Sequence, residues 1–256
     1  MTNQALFPDL DGASVFITGG GSGIGAALVE GFVAQGARVA FGDIRDSRGF
    51  ANDLGARFAN APLFLECDIT DTEALRRSLA EAGAAHGPVT VLVNNAANDD
   101  RHTLDAVTPE YWDRMMAVNL KAYFFACQAA APGMAAAGRG AIVNFSSISY
   151  IMGNAGYPVY TAANAAITGM TRSLARELGP QGVRVNAVAP GWVLTEKQRE
   201  LWATPEGLAD HLSRQCLPEH LMPEDLVGPV LFLASQTSRM ITGQCIAVDG
   251  GVVVSG

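Results

Sequence analysis

Ser14-Val-Phe-Ile-Thr-Gly-Gly-Gly-Ser-Gly-Ile-Gly25 joins a short apolar run to a glycine loop, and the residues beyond it change period. The run Ser14 to Thr18 has the length and β-branched content of a buried strand. From residue 24 to residue 35, Ala27, Leu28, Gly31 and Phe32 recur near helical spacing. Strand, glycine turn and helix in that order let backbone at Gly19, Gly23 and Gly25 approach a pyrophosphate at the helix N-terminus. The stretch therefore predicts a dinucleotide-binding unit.

The same alternation continues along the chain. Apolar runs at 38–42, 63–67, 89–93, 141–145, 183–188 and 245–248 read as further strands. Helical patterns cover about 71–85, 108–137 and 157–178. Strands alternating with helices imply right-handed crossovers, so the expected fold is α/β: one Rossmann-type domain over residues 1–256. It is a doubly wound parallel sheet of about seven strands with helices on both faces. Ligands then bind beyond the carboxyl ends of the strands, where the strand order reverses. The irregular segment at about 192–223, with Pro205, Gly207, Pro218 and Pro223, is expected to form a substrate lid.

Composition narrows the function. The 256 residues are 49% hydrophobic and carry 28 glycines, enough for one large core with many tight turns. A net charge of −8 with scattered basic residues argues against nucleic acid. No secretory leader or membrane-spanning run is read, so a cytoplasmic protein is expected. Cys67, Cys127, Cys216 and Cys245 lack paired spacing, and His86, His102, His211 and His220 form no cluster, so no metal is expected.

Asp43 ends the second strand about twenty residues past the glycine loop, where its carboxylate can accept ribose hydroxyls and repel a 2′-phosphate. Arg45 softens that exclusion, but 19–22 hold no basic residue; NAD is expected over NADP. Farther on, Ser147 in Asn144-Phe-Ser-Ser-Ile148 lies thirteen residues before Tyr160 in Tyr160-Thr-Ala-Ala-Asn164. Hydride transfer from an alcohol needs a base for the hydroxyl proton and a donor that positions the oxygen. Tyr160 and Ser147 can fill those roles.

In these residues the chain resembles the short-chain dehydrogenase/reductase family, whose loop has the spacing Gly-x-x-x-Gly-x-Gly and whose Tyr is followed at i+4 by a Lys. The resemblance implies pyrophosphate contacts along Gly19, Ser22, Gly23, Ile24 and Gly25. It implies adenine contacts at Asp68 and Ile69, and a cofactor-side role for Asn95 in Asn94-Asn-Ala-Ala97, where Ala97 replaces the family's Gly. Pro190, Gly191, Val193 and Thr195 resemble the nicotinamide-amide and phosphate contacts. Asn119, in Val118-Asn-Leu120, matches the Asn whose backbone holds a water leading to the Lys. In the family that Lys binds the nicotinamide ribose and lowers the Tyr pKa, but here the position is Asn164. Its amide can still bind a ribose hydroxyl, so Tyr160 and Asn164 count among the cofactor contacts. Without a cation, about one Tyr160 in a thousand would be ionised near pH 7. Lys121 and Lys197, the only lysines, are not obvious substitutes.

Asn98-Asp-Asp-Arg-His102, Thr204-Pro-Glu-Gly207 and Gln215-Cys-Leu217 resemble phrases of the bacterial D-xylose dehydrogenases within this family. They imply a sugar substrate oxidised at its anomeric hydroxyl to a lactone. Asn98, Ser147, Asn154 and Tyr160 are the expected substrate contacts, with Tyr157 as a further partner and Trp192 and Trp202 as pocket walls. Residues 149–157 depart from the xylose enzymes, leaving open other aldoses or a sugar acid paired with Arg101 or Arg199. The competing readings are an NAD-binding protein without dehydrogenase activity and, more weakly, a non-redox enzyme such as a dehydratase. The family implies a homotetramer built from the long helices after strands four and five and the C-terminal strand. The apolar tail over 251–256 suits such a contact.

Overall fold

The computed structural model describes residues 5–254. Seven strands form one parallel sheet: β1 (Ser14–Thr18), β2 (Arg38–Asp43), β3 (Leu63–Glu66), β4 (Val91–Asn94), β5 (Gly140–Phe145), β6 (Val183–Pro190) and β7 (Cys245–Val248). Their order is β3-β2-β1-β4-β5-β6-β7, so the winding reverses between β1 and β4. Val15 and Ile17 pack into one core layer while Phe16 packs into the other, as the period of two in a doubly covered strand requires. All three are fully buried. Burial on that scale stabilises by about 1.5–3 kcal/mol per large side chain.

The connecting helices are α1 (Gly23–Ala34), α2 (Arg48–Arg57), α3 (Thr72–His86), α4 (Pro109–Met116), α5 (Ala122–Ala136), a short α6 (Ser149–Met152), and α7 (Pro158–Leu178). After β6 come α8 (Glu196–Leu201), α9 (Pro205–Ser213) and α10 (Val227–Ala234). Leu28, Val29, Phe32 and Val33 of α1 and Val230 and Leu231 of α10 fill one layer. Leu75 and Leu79 of α3 and Ala126 and Met134 of α5 fill the other.

The structure corrects one sequence expectation and adds helices in two regions where none was assigned. The helix read over 108–137 is two helices separated by a π turn at Ala117–Lys121, where the Ala122 N–H reaches back to Ala117 O. Helix α2, with glycines at 49 and 55 and only Ala51 and Leu54 buried, escapes the periodicity argument altogether. The segment at 192–223 is irregular but not bare loop. It holds α8 and α9, capped by the Thr195 and Thr204 hydroxyls, and an isolated parallel bridge between Val193 and Leu221. The tail read over 251–256 is described only to Val254; its last two residues lie outside the described residues, as do the first four of the chain.

One buried charge helps to hold the C-terminal half. Arg184, on β6, donates to Leu233 O and Ser238 Oγ through one guanidinium nitrogen and to Ala234 O and Ser235 O through the other, at 2.7–3.2 Å. These carbonyls lie at the end of α10, where the helix itself supplies no donors; Ser238 reaches Leu233 O and Ser235 O as well, and Ala234 O is held by Arg184. Burial pulls the Arg184 pKa down, opposed by the negative charge of Asp9.

Candidate active site

The crevice at the reversal point is stitched by two side chains. Thr18 Oγ1 accepts the backbone N–H groups of Asn95 and Ala96 at 3.0 and 3.1 Å. The Asn95 amide donates to Thr18 O and Gly19 O at 3.0 and 3.1 Å. Asn95 thus braces the glycine loop from β4. The glycines are demanded by this packing: a Cβ on Gly25 would stand 1.9 Å from Gly19 O, and one on Gly19 would stand 2.8 Å from the Ala96 Cβ. Gly19 also has φ +66°, in the region L side chains rarely adopt.

Helix α1 begins at this crevice with Ser22 as its N-cap. Ser22 makes no side-chain cap bond and the first turn holds no acidic residue. The N–H groups at Gly23 and Ile24 therefore point outward from a positive helix end, which fits an anion such as a pyrophosphate. Thr195 lies against Gly23, its methyl 3.1 Å from where a Cβ would be, so the start of α8 meets the start of α1.

Asp43 sits at the carboxyl end of β2. One carboxylate oxygen accepts from Gly21 N at 2.9 Å and the other from Arg45 N at 3.0 Å. Each oxygen keeps a free lone pair for a ribose hydroxyl. Asp68 is exposed beyond β3, with one oxygen already taken by the Thr70 N–H and hydroxyl, and Ile69 is buried beside it. Pro190 and Gly191 close β6: Gly191 N donates to Val248 O at 2.9 Å and Pro190 O accepts from Ile148 N at 3.1 Å. Val193 is buried in the bridge to Leu221.

Ser147 follows β5, and Tyr160 stands in the first turn of α7. Tyr160 is pushed up to about 12, first by burial and then by the negative charge of Asp99, while hydrogen bonding with Ser147 and Asn164 pulls the other way. The sequence expectation used the ordinary phenol value near 10. The enclosed setting cuts the phenolate population about a further hundredfold.

Asn164 is buried, and its amide donates to Tyr160 O at 2.9 Å, one turn back on its own helix. The backbone carbonyl of Asn164 in turn accepts from Ser146 Oγ at 2.9 Å and Thr168 Oγ1 at 3.3 Å. Neither lysine supplies the missing cation at Tyr160. Lys121 is exposed, and Lys197 pairs with Asp99 at 2.8 Å. Burial alone would raise the Asp99 carboxyl, but the Lys197 ammonium, with Gln198 and Arg101, holds it below its usual range. Because Lys197 and Gln198 belong to α8, Asp99 also fastens the segment over 192–223 to the loop after β4.

The expected substrate contacts Asn98 and Asn154 are already partly engaged. Asn98 folds onto its own loop: its amide donates to Asp100 and its carbonyl accepts from Asp100 N at 3.0 and 3.1 Å. Its backbone is clamped by Asn119, whose Oδ1 accepts from Asn98 N at 2.8 Å and whose Nδ2 donates to Asn98 O at 2.9 Å. Asn119 is buried inside the π turn, a placement with a reason, since the extra residue per turn redirects a side chain. Asn154 donates to the Tyr157 hydroxyl at 2.9 Å. The Tyr157 and Tyr160 rings lie 5.6 Å apart, and the Arg101 guanidinium sits 4.1 Å above Tyr157 and 5.4 Å from the Trp202 ring. Trp192 donates to Gln198 and packs edge-on against His211. The sequence assigned no individual role to Asp99 or His102; the one hint was their place in the stretch Asn98–His102 that resembles the D-xylose dehydrogenases.

A helix N-terminus free for phosphate, an acidic strand end beside it and a Ser–Tyr pair across the same crevice define a nucleotide-dependent α/β enzyme of the doubly wound class. A family model described as enoyl-(acyl carrier protein) reductase matches residues 19–253. The chain is 52% identical over 97% of its length to a Rhizobium meliloti protein described as a probable galactose dehydrogenase, covering 98% of that protein. It is 48% identical to the D-xylose 1-dehydrogenase of Caulobacter vibrioides, over 97% of this chain and 99% of the other. Among solved structures, a blue fluorescent protein from a metagenomic library in complex with NADPH superposes with a TM-score of 0.86 at 34% identity, covering 96% of this chain and all of that one. The chain belongs to the short-chain dehydrogenase/reductase family.

Proposed function

We propose that this protein is a sugar dehydrogenase that removes hydride from the anomeric carbon of an aldose and releases the lactone, with NAD as acceptor. Its single chain would form one NAD-binding domain, over which residues 192–223 act as the substrate lid. The observation that carries the reading is the Ser147–Tyr160 pair beside the crevice of β1 and β4. Near-full-length similarity to a galactose and a xylose dehydrogenase supports the substrate class.

The dinucleotide would lie with its pyrophosphate on Gly19, Ser22, Gly23, Ile24 and Gly25, its adenosine ribose on Asp43 and its adenine near Asp68 and Ile69. Asn95, Pro190, Gly191, Val193 and Thr195 would line its nicotinamide half. Asp43 favours NAD, because a 2′-phosphate would meet its carboxylate. When bound, the nicotinamide supplies the hydride acceptor. The chain does the rest. Ser147 donates to the sugar oxygen and holds it, Tyr160 as phenolate takes the hydroxyl proton as the carbon–hydrogen bonding pair leaves, and the carbonyl of the lactone forms. Asn164 contributes an amide toward the nicotinamide ribose but no charge, so the base is rarely ionised and turnover is slow. Asn119 acts by holding Asn98, which with Asn154 borders the sugar. The chain assembles as a homotetramer, a reading supported by an apolar groove of about 530 Å³ between α5 and α7 that includes Phe124, Phe125 and Met170.

The test is a panel of aldoses and sugar acids with NAD and with NADP, run on the chain and on its Asn164→Lys variant. NADH formation with a neutral aldose, absent in Tyr160→Phe, is the expected result. Tight NAD binding with no turnover on any sugar, even with Lys at 164, would instead favour a binding protein of the same fold.

A further inference from the structure

We infer that His102 is a positioning residue for Tyr160: its imidazole closes the N-terminus of α7 and ties the base to the loop that follows β4. The inference rests on Tyr160 being the base proposed above. A helix leaves its first four N–H groups without partners inside the helix. In α7 the N-cap residue, Tyr157, makes no side-chain cap bond, and Pro158 has no N–H to satisfy. The next donor is Val159 N, and it points at His102 Nε2 at 3.2 Å. The acceptor thus comes from 57 residues earlier in the chain, and the residue after the one it holds is Tyr160.

The surroundings of the ring fit that role. An Nε2 that accepts carries no hydrogen, so the ring proton is assigned to Nδ1, which lies 2.9 Å from Asp100 O and 2.8 Å from the Tyr111 hydroxyl. Tyr111 of α4 also packs edge-on against the imidazole, with centroids 4.9 Å apart. His102 grips a second point just ahead of the helix, since its backbone N–H donates to Gly156 O at 2.7 Å. Its neighbours are held as firmly: Asn98 by Asn119, Asp99 by Lys197, and Arg101 over the Tyr157 ring. His102 is the bond by which this anchored loop fixes the first turn of α7. A fraying turn would carry the Tyr160 hydroxyl away from Ser147, and a misplacement of about 1 Å costs about 100-fold in rate.

The experiment compares His102→Leu, His102→Asn and His102→Gln in the full chain and in the Asn164→Lys form. Gln places an acceptor near the Nε2 position, Asn is too short to reach it, and Leu has none. Two readouts are taken: amide hydrogen exchange of the peptide over 157–163, which needs no cofactor or sugar, and steady-state kinetics with NAD and the best aldose. His102→Leu and His102→Asn are expected to speed exchange in that peptide and to lower kcat about 10- to 100-fold. KM for both substrates should stay within about twofold, and His102→Gln should restore both readouts. If Leu fails to fold, the Asn and Gln variants make the comparison alone. Unchanged exchange and kcat in the Asn variant would overturn the inference, as would a Gln variant as impaired as Asn. Full turnover by Tyr160→Phe would sink the reading of the base itself; an inactive Tyr160→Phe beside a fully active His102→Asn would sink only the role of His102.

Discussion

At the scale of single residues, the site turns on the charge around one phenol. Burial and Asp99 hold Tyr160 near 12, so at pH 7 about one molecule in a hundred thousand carries the phenolate. A Lys at position 164, about 4.5 Å away, would favour the phenolate by roughly 3–4 kcal/mol, or 2–3 pK units. Asn164→Lys is therefore expected to raise kcat about 100-fold or more at neutral pH, with little change in KM for NAD; a rate no higher than that of the parent chain would refute the charge argument. Asp99 offers a second, independent lever on the same group. Asp99→Asn removes the charge that helps to raise Tyr160, so the alkaline rise of kcat should move to lower pH, read from a pH–rate profile. Because the same change unfastens Lys197 and Gln198 of α8, KM for the sugar should rise in parallel.

Elements show why some features were legible in the sequence and others were not. The glycine turn, the strand order of chemistry and the Ser–Tyr spacing are local, and each is readable from a few adjacent residues. The π turn is not, because Ala117-Val-Asn-Leu-Lys121 contains no Gly or Pro and keeps the apolar period of the helices on either side. Helix α2 was hidden by its two glycines and polar surface. The His102 cap could not be read at all: a lone His between Arg101 and Thr103 gives no sign that its partner is the Val159 amide, since only tertiary folding brings them together. Arg184 is a similar case, looking like a stray charge in strand β6 until α10 lays its C-terminal carbonyls over it. Arg184→Met should fill much the same volume yet leave Ala234 O without its donor and strip one donor each from Leu233 O, Ser235 O and Ser238 Oγ, lowering stability by about 3 kcal/mol in urea unfolding. Retention of the parent midpoint would show that the carbonyls find water or other donors.

For the molecule as a whole, the buried acids set the alkaline limit. Cys127 and Tyr160 are each raised to about 12 and Tyr123 is raised well above its ordinary value, in every case first by burial. These groups bind their protons more tightly folded than unfolded. Their contribution is full below the unfolded values of about 9 for Cys and 10 for Tyr, and it is lost as pH rises from there toward 12. The urea midpoint should thus hold steady to about pH 9 and then fall, each group adding up to about 1.4 kcal/mol per pH unit. Tyr160→Phe should show a shallower fall, and an identical one would mean that Tyr160 is not protonated more tightly in the folded chain.

The reversal of winding between β1 and β4 has a further consequence, in the order in which the chain can fold. Thr18 and Asn95, which stitch the crevice, are 77 residues apart, and α1, β2, α2, β3 and α3 are made between them. As the chain leaves the ribosome, β1 can pair with β2 at once, but its other edge stays an open row of amide and carbonyl groups until β4 follows. Until then there is no crevice, and no nucleotide can stabilise the nascent half. The feature that creates the binding site also leaves one edge of a central apolar strand open during synthesis, the interval in which such a chain is most open to misassociation.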